Sequence, residues 1–235
     1  MSSVQQIIEQ LQQLSCPQRA EITRTFFKTN RHQYAEHDQF IGIRVPQLRT
    51  LAKQHLTLSV EDTISLLNSP IHEQRHLALF IWVYQYQQKS TSPETKQQIY
   101  NAYIANHRQV NNWDLVDTST PHIMGEHLRT HPRDILYEWA VDDNLWKRRM
   151  SIVATWTFIK HQDIPDTFSI AQILLEDPED LIHKAVGWML REAGRRDVNA
   201  LYKFLDKHCT TMPRTMLRYS IEKLSGDKKY HYMSQ

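Results

Sequence analysis

Apolar residues recur every three to four positions through most of the chain, with polar residues between them. This spacing is typical of helices that bury one face. The longer segments with this pattern are IHEQRHLALFIWVYQYQ from Ile71, VNNWDLVDTST from Val110, NLWKRRMSIVATWTFIK from Asn144, DLIHKAVGWMLREAGRR from Asp180 and PRTMLRYSIEKL from Pro213. Shorter helical segments lie between them. The pattern therefore predicts an all-α protein.

The predicted helices follow a regular rhythm. The long segments start roughly 33 to 39 residues apart, and each is paired with a shorter helix, as in HEAT-like repeats. We therefore expect a HEAT-like α-α superhelix (a solenoid) with a concave face, built as a single domain over residues 1–235. Trp113, Arg149 and Trp188 are 36 and 39 residues apart, so they would stand side by side on successive helices. Arg75, 38 residues before Trp113, would extend this row.

Composition supports the helical prediction and indicates where in the cell the protein is expected. The 235 residues include only five glycines, fewer than turn-rich β or α/β folds need. No apolar run approaches a membrane span, and the N-terminus lacks a signal-peptide pattern. The two cysteines, Cys16 and Cys209, are far apart in the chain, which is typical of reduced thiols in a cytosolic protein. We expect a cytoplasmic, monomeric protein with no membrane partner.

The segment NNWDLVDTSTPH places an aromatic and a carboxylate on one helix face. Trp113 and Asp117 are four residues apart, while Leu115, Val116 and Ile123 supply a buried stripe. The pair is therefore expected at the edge of that stripe, where a cation would meet both side chains. The alternative is that Trp113 belongs to the core and Asp117 caps a helix.

Two later segments are basic. Lys184, Trp188, Arg191 and Arg195 share one face of HKAVGWMLREAGRR, which suits a groove that binds phosphates, or else an amphipathic helix with solvated arginines. In NLWKRRMSI, Arg149 borders an apolar stripe, but the run is equally typical of a solvated basic turn. Residues 181–235 contain eleven Lys and Arg but only five Asp and Glu, and this excess of positive charge favours a polyanionic partner.

Other kinds of site have no clear signal. The thirteen histidines are dispersed, and no Cys-x-x-Cys pair, glycine-rich phosphate loop or serine nucleophile motif is present. We therefore expect neither a metal nor a cofactor.

Four segments, in this order, resemble the AlkD-type DNA alkylation repair proteins, a family of DNA glycosylases with a HEAT-like fold. They are FIGIRVPQLRTLAK, NNWDLVDTSTPHIMGEHL, DNLWKRR and HKAVGWMLREAGR, and they span residues 40–196. The resemblance implies a monofunctional enzyme that removes cationic N3- and N7-alkylated purines from double-stranded DNA without drawing the base into a pocket.

The resemblance also implies roles for individual residues. Asp117, Trp113 and Trp188 would be catalytic, with Asp117 stabilising the cationic sugar and the two tryptophans presenting their ring faces to it. The expected DNA contacts are Arg149, Lys184, Arg191, Arg195, Arg148 and Asn112. Asn112 stands where some members have an aromatic residue. Phe26 or Phe27 occupies the place of a tyrosine that contacts DNA.

Two other functions are compatible with the sequence. One is a non-catalytic HEAT-type DNA-binding protein in which Asp117 is structural. The other is a protein-binding solenoid whose concave face grips an acidic peptide. Release of alkylated bases separates an enzyme from the first alternative, and a preference for DNA over acidic peptide separates it from the second.

Overall fold

The computed structural model describes residues 3–235, and this part of the chain is helical. Its fourteen α-helices are α1 Ser3–Leu14, α2 Pro17–Phe26, α3 Val45–Gln54, α4 Val60–Leu67, α5 His72–Gln87, α6 Pro93–Ala105, α7 Trp113–Thr120, α8 Asp134–Ala140, α9 Leu145–Lys160, α10 Pro165–Ile173, α11 Asp180–Gly194, α12 Val198–His208, α13 Arg214–Ser220 and α14 Gly226–Met233. A 3₁₀ turn spans His107–Gln109, and a π-helical turn, Pro121–Gly125, follows α7 directly. Across residues 3–235 the only β feature is an isolated bridge between Gln39 and Ile71. The all-α prediction is confirmed.

The predicted long helices are all present, and their starts have local causes. The Ser59 hydroxyl accepts the N–H of Asp62 at the start of α4, and the Asn144 side chain accepts the N–H of Trp146 at the start of α9. Proline lies in the first turn of α2, α3, α6 and α10, where its missing N–H removes no helical bond. Two boundaries differ from the prediction by several residues: α7 begins at Trp113 rather than Val110, and α13 ends at Ser220 rather than Leu224.

The chain divides into two compact units, and the first ends at Ile123. Helix α5 is the core of this N-terminal unit and packs against α3, α4, α6 and α7. Fourteen of its sixteen residues are buried. Because α5 is covered on nearly every side, its polar residues have to find partners inside the protein.

The C-terminal unit comprises Met124–Gln235. Helix α9 packs against α8, α10 and α11, and α11 packs in turn against α12 and α13. Gly187 explains the close approach of α11 to α13, since a Cβ there would lie 2.5 Å from the Cβ of Tyr219 and 2.6 Å from the carbonyl oxygen of Met216. The glycine inside α11 is therefore required by packing.

Helix pairing within each unit agrees with the predicted rhythm. That residues 1–235 act as one domain, and that the helices form a HEAT-like superhelix with a concave face, stay predictions. Over residues 3–235, no helix has the length and apolar character needed to cross a membrane.

Candidate functional site

Trp113 begins α7 at the edge of an aromatic cluster. Its indole N–H donates to the Tyr34 hydroxyl at 3.3 Å, and its ring centroid lies 5.4 Å from that of Phe27 and 6.1 Å from that of Phe26. Phe27 is buried, whereas Phe26 is 63% exposed. Trp113 itself is half-buried, so part of its surface remains accessible beside an exposed aromatic ring.

Asp117 follows one helical turn later and is also half-buried. It lies near the Tyr103 phenol, whose pKa is raised to about 12, chiefly by burial and in part by the Asp117 charge. Leu115 and Val116, between the two candidate residues, are completely buried. Trp113 and Asp117 therefore lie at the edge of the buried stripe, as the sequence predicted.

A buried polar network lies beneath this edge. Asp38 accepts hydrogen bonds from Arg75 Nη2 at 2.5 Å, His72 Nδ1 at 3.1 Å and Asn112 Nδ2 at 3.1 Å. His72 Nε2 lies 2.9 Å from Asp114 Oδ2. The network ties α5 and the residues around position 38 to the start of α7, so it fixes the helix that carries Trp113 and Asp117.

The network holds its groups in defined charge states. Burial alone would lower the pKa of His72, but the Asp114 and Asp38 carboxylates outweigh it and raise the pKa to about 9. Burial raises the pKa of both carboxyls, and their interactions with His72, joined by Arg75 at Asp38, bring them below their usual range. Two carboxylates therefore flank an imidazolium.

His76 lies one turn after His72 and is uncharged at neutral pH, because burial lowers its pKa to about 4. Its tautomer follows from Thr118. The Thr118 hydroxyl donates to the Asp114 carbonyl at 2.6 Å, so it accepts from His76 Nε2 at 3.0 Å. His76 Nδ1 is then unprotonated, and it lies 3.5 Å from Asp114 Oδ2.

Glu73 holds the loop that approaches α5. Its buried carboxylate accepts hydrogen bonds from the N–H groups of Ile41 at 3.1 Å, Gly42 at 2.7 Å and Ile43 at 3.3 Å. Gly42 has φ +78°, and a Cβ there would lie 2.2 Å from the Cys16 carbonyl oxygen. The carboxylate is thus committed to the backbone of this loop.

The basic residues of α9 are engaged within the C-terminal unit. Arg148 Nε donates to Asp177 Oδ2 at 2.6 Å, and Arg148 Nη1 donates to the carbonyls of Asp142 and Asp143. Arg149 is 5% exposed and donates to the Leu181 carbonyl at the start of α11. Its spacing predicted a place beside Trp113 and the family resemblance implied a DNA contact, but the side chain lies at the packed α9–α11 interface.

The basic face of α11 is more accessible. Lys184 pairs with Asp180 at 2.6 Å and Arg195 with Glu192 at 3.3 Å. The Arg195 side chain is 62% exposed and that of Lys184 is 41% exposed. Arg191 is bonded to Glu192 and Glu222 and is less exposed. Trp188, between Lys184 and Arg191 on this face, is half-buried. The pairs of Lys184 and Arg195 are of the exposed kind, which contribute little and exchange readily.

The structure thus places Trp113 with Asp117 on α7, Arg148 with Arg149 on α9, and Lys184, Trp188, Arg191 and Arg195 on α11. Besides that of Arg149, two predictions need correction. Asn112 does not reach the surface for DNA, because it is completely buried and donates to Asp38. Arg75 does not extend an exposed row, because it too is buried and paired with Asp38.

The buried network and one motif within it were not predicted from the sequence. The segment HEQRH places His72 and His76 at i and i+4 on α5, a spacing typical of metal ligands, so the description of the histidines as dispersed was wrong. His127 and His131 form a second such pair, with ring centroids 4.0 Å apart. Only the first pair joins a third ligand-type residue, Asp114, among residues 3–235.

Comparisons with known proteins agree with this architecture. The profile of a family described as DNA alkylation repair enzyme matches residues 7–224. A solved structure of a predicted DNA alkylation repair enzyme from Enterococcus faecalis superposes with a TM-score of 0.70 at 17% identity, covering 90% of this chain and 97% of that one. The search of curated proteins gives no match. Since the family profile covers nearly all of the sequence, the chain belongs to the DNA alkylation repair enzyme family.

Proposed function

We propose that this enzyme of DNA alkylation repair is a DNA glycosylase that hydrolyses the N-glycosidic bond of cationic N3- and N7-alkylated purines in duplex DNA. The observation that carries the proposal is the pairing of Trp113 and Asp117 at an accessible edge of α7. An aromatic face and a carboxylate one turn apart suit a substrate that is cationic before and during reaction.

The chemistry needs few groups. A water oxygen bonds to C1′ of the deoxyribose as the bond from C1′ to the purine nitrogen breaks. The bonding electron pair passes to the purine and neutralises its positive ring. Positive charge builds on the sugar, where Asp117 stabilises it and orients the water. The water proton passes to Asp117 or to solvent, and an abasic site remains in an intact strand. Because the leaving base becomes neutral, no general acid is required.

The exposed face of α11 supplies the proposed contact with the DNA backbone. Lys184 and Arg195 exchange their surface carboxylate partners for phosphates, and Trp188 packs against the sugar between them. Arg148 and Arg149 take no part in this surface contact, since Arg148 is bonded to Asp177 and Arg149 to Leu181.

The chemical proposal is tested by single-turnover release of 7-methylguanine and 3-methyladenine from methylated duplex DNA. Asp117→Asn should slow release about a hundredfold, a loss of roughly 3 kcal/mol in the transition state, with DNA binding nearly unchanged. The residual rate should be greater for 3-methyladenine, which leaves more readily. Asp143→Asn, at an exposed carboxylate of the C-terminal unit, is the matched control and should behave as wild type.

Each alternative has its own outcome in this assay. Normal release by Asp117→Asn on both lesions would make Asp117 a structural acid. Salt-sensitive DNA binding with no base release from the wild-type protein would indicate a non-catalytic binding protein. Displacement of DNA by an acidic peptide would favour a protein-binding scaffold.

The α11 surface is tested separately by the salt dependence of DNA binding. Each phosphate contact adds about −0.9 to the slope of log affinity against log salt, so Lys184→Glu with Arg195→Glu should flatten the slope by about 1.8. Lys203→Glu with Lys207→Glu, on exposed positions of α12, makes the same change in net charge. Equal flattening by both double variants would show that the contact is not localised on α11.

A further inference from the structure

We propose that His72, His76 and Asp114 bind one divalent transition-metal ion, for which Zn²⁺ is the best match. The three side chains are buried, and one ligand atom from each lies within 4.8 Å of the others. Two imidazoles and a carboxylate form a nitrogen and oxygen donor set that zinc takes in proteins. The proposal does not depend on the glycosylase activity.

The distances are close to those of a metal site. Asp114 Oδ2 lies 2.9 Å from His72 Nε2 and 3.5 Å from His76 Nδ1. Neighbouring ligands around tetrahedral zinc are about 3.3 Å apart, given Zn–N and Zn–O bonds of about 2.0–2.1 Å. The His72 and His76 nitrogens lie within 4.8 Å of each other, so the three side chains would draw together to enclose an ion.

Both histidines have the outer partners that metal-bound histidines require. His72 Nδ1 faces Asp38 Oδ2 at 3.1 Å, and that carboxylate is held in turn by Arg75 and Asn112. His76 Nε2 donates to the Thr118 hydroxyl at 3.0 Å. Such contacts fix the tautomer and the ring orientation, and they leave the opposite nitrogen free to bind the ion.

The hydrogen-bond arrangement also leaves a place for a cation. Because His76 donates through Nε2, its Nδ1 lone pair points towards an Asp114 oxygen 3.5 Å away, and both atoms are acceptors. Two acceptors facing each other in a buried site repel. A metal ion between them would bind both lone pairs and remove this repulsion.

The HEQRH segment does not imply a metalloprotease, although it matches the helical motif of two histidines with an intervening glutamate. The Glu73 carboxylate accepts hydrogen bonds from the N–H groups of Ile41, Gly42 and Ile43. Because it is held by the backbone of this loop, it is not placed to act as a general base. The ion would instead link α5 to α7 through Asp114, the residue after Trp113. Its expected role is to hold α7 in place.

The experiment is metal analysis of the full chain purified from cells grown in zinc-supplemented medium. We expect one equivalent of zinc per chain and a higher thermal midpoint than the chelator-stripped protein. His76→Gln should lose the bound metal and the zinc-dependent shift. Thr118→Val, which keeps all three ligands but removes the partner of His76, should weaken binding about 10- to 100-fold. His131→Gln alters the other histidine pair and should bind as wild type.

A second measurement needs no variant. Cobalt incorporated in place of zinc should give the visible absorption of a tetrahedral ion with nitrogen and oxygen ligands, without a thiolate charge-transfer band. A thiolate band would place the metal at Cys16 or Cys209 and overturn the proposal. Substoichiometric metal in the wild-type protein, or loss of binding in His131→Gln but not His76→Gln, would overturn it equally.

Discussion

Replacing Glu73 with glutamine should destabilise the N-terminal unit by about 3 kcal/mol. The Glu73 carboxylate bonds the N–H groups of Ile41, Gly42 and Ile43, and hydrogen bonds to a buried charge contribute about 1.5–3 kcal/mol each, against about 1 for neutral pairs. In Glu73→Gln the amide oxygen can keep two N–H donors as weaker, neutral bonds. The amide N–H₂ replaces Oε2, so the Ile41 N–H loses its 3.1 Å acceptor. It keeps only a shared contact, at 3.2 Å, to the oxygen that already accepts from Gly42 and Ile43, at a cost of about 1–3 kcal/mol.

Equilibrium unfolding in urea, followed by tryptophan fluorescence and circular dichroism, measures this loss. The unfolding midpoint should fall while the slope of free energy against urea stays constant, because the surface exposed on unfolding is unchanged. Glu61→Gln, at an exposed glutamate in the first turn of α4, is the control, and it should lower the midpoint much less because it removes only a weak charge–dipole interaction. A Glu73→Gln midpoint equal to wild type would show that packing, and not the carboxylate, holds the loop.

Two further predictions concern the C-terminal unit. Gly187→Ala should lower stability by about 2–3 kcal/mol, because the new Cβ would lie 2.5 Å from the Cβ of Tyr219 and force α11 away from α13. Thermal unfolding measures this loss, and unchanged stability would show that α13 moves without cost. Burial, aided by neighbouring His131, lowers the pKa of His127 to about 4. Between pH 6.5 and pH 4 the unfolded chain therefore takes up a proton that the folded chain does not, so the stability of the fold decreases as the pH decreases. His127→Gln should lose less stability over this window in urea titrations than wild type, and an identical pH dependence would contradict the assignment.

The helices could be predicted from the sequence because helical periodicity is local. The apolar spacing indicated α5, α9, α11 and α13 and the shorter helices paired with them, and the structure contains each of these. The edge position of Trp113 and Asp117 could also be predicted, since it follows from the apolar residues between them on the same helix. Both inferences use only neighbours within a few turns.

The buried network could not be predicted, because its members are distant in the chain. Asp38 is 34 residues from His72, and His72 is 42 from Asp114, so their contact depends on how α5 meets α7. The same limit explains the misplaced residues. Asn112 is polar and adjacent to Trp113, and only the position of Asp38 shows that it turns inward. Arg149 has the spacing of a groove residue, but its neighbour in space is the first turn of α11.

Helix α7 carries its buried anchor and its proposed chemistry on adjacent faces. Asp114 and Thr118 bond to the histidines of α5, whereas Trp113 and Asp117, each one position earlier, lie at the accessible edge. One residue of offset rotates a side chain by about 100° around a helix, which is enough to separate the two sets. The contacts of Asp114 and Thr118 hold α7 rigidly and so fix the position of Asp117. This matters for the proposed chemistry, because a carboxylate stabilises a developing charge best when it is already in place. Asp114 and Asp117 therefore differ in role despite identical chemistry. Asp114 fixes the helix to α5, whereas Asp117 is the carboxylate that we propose faces the substrate.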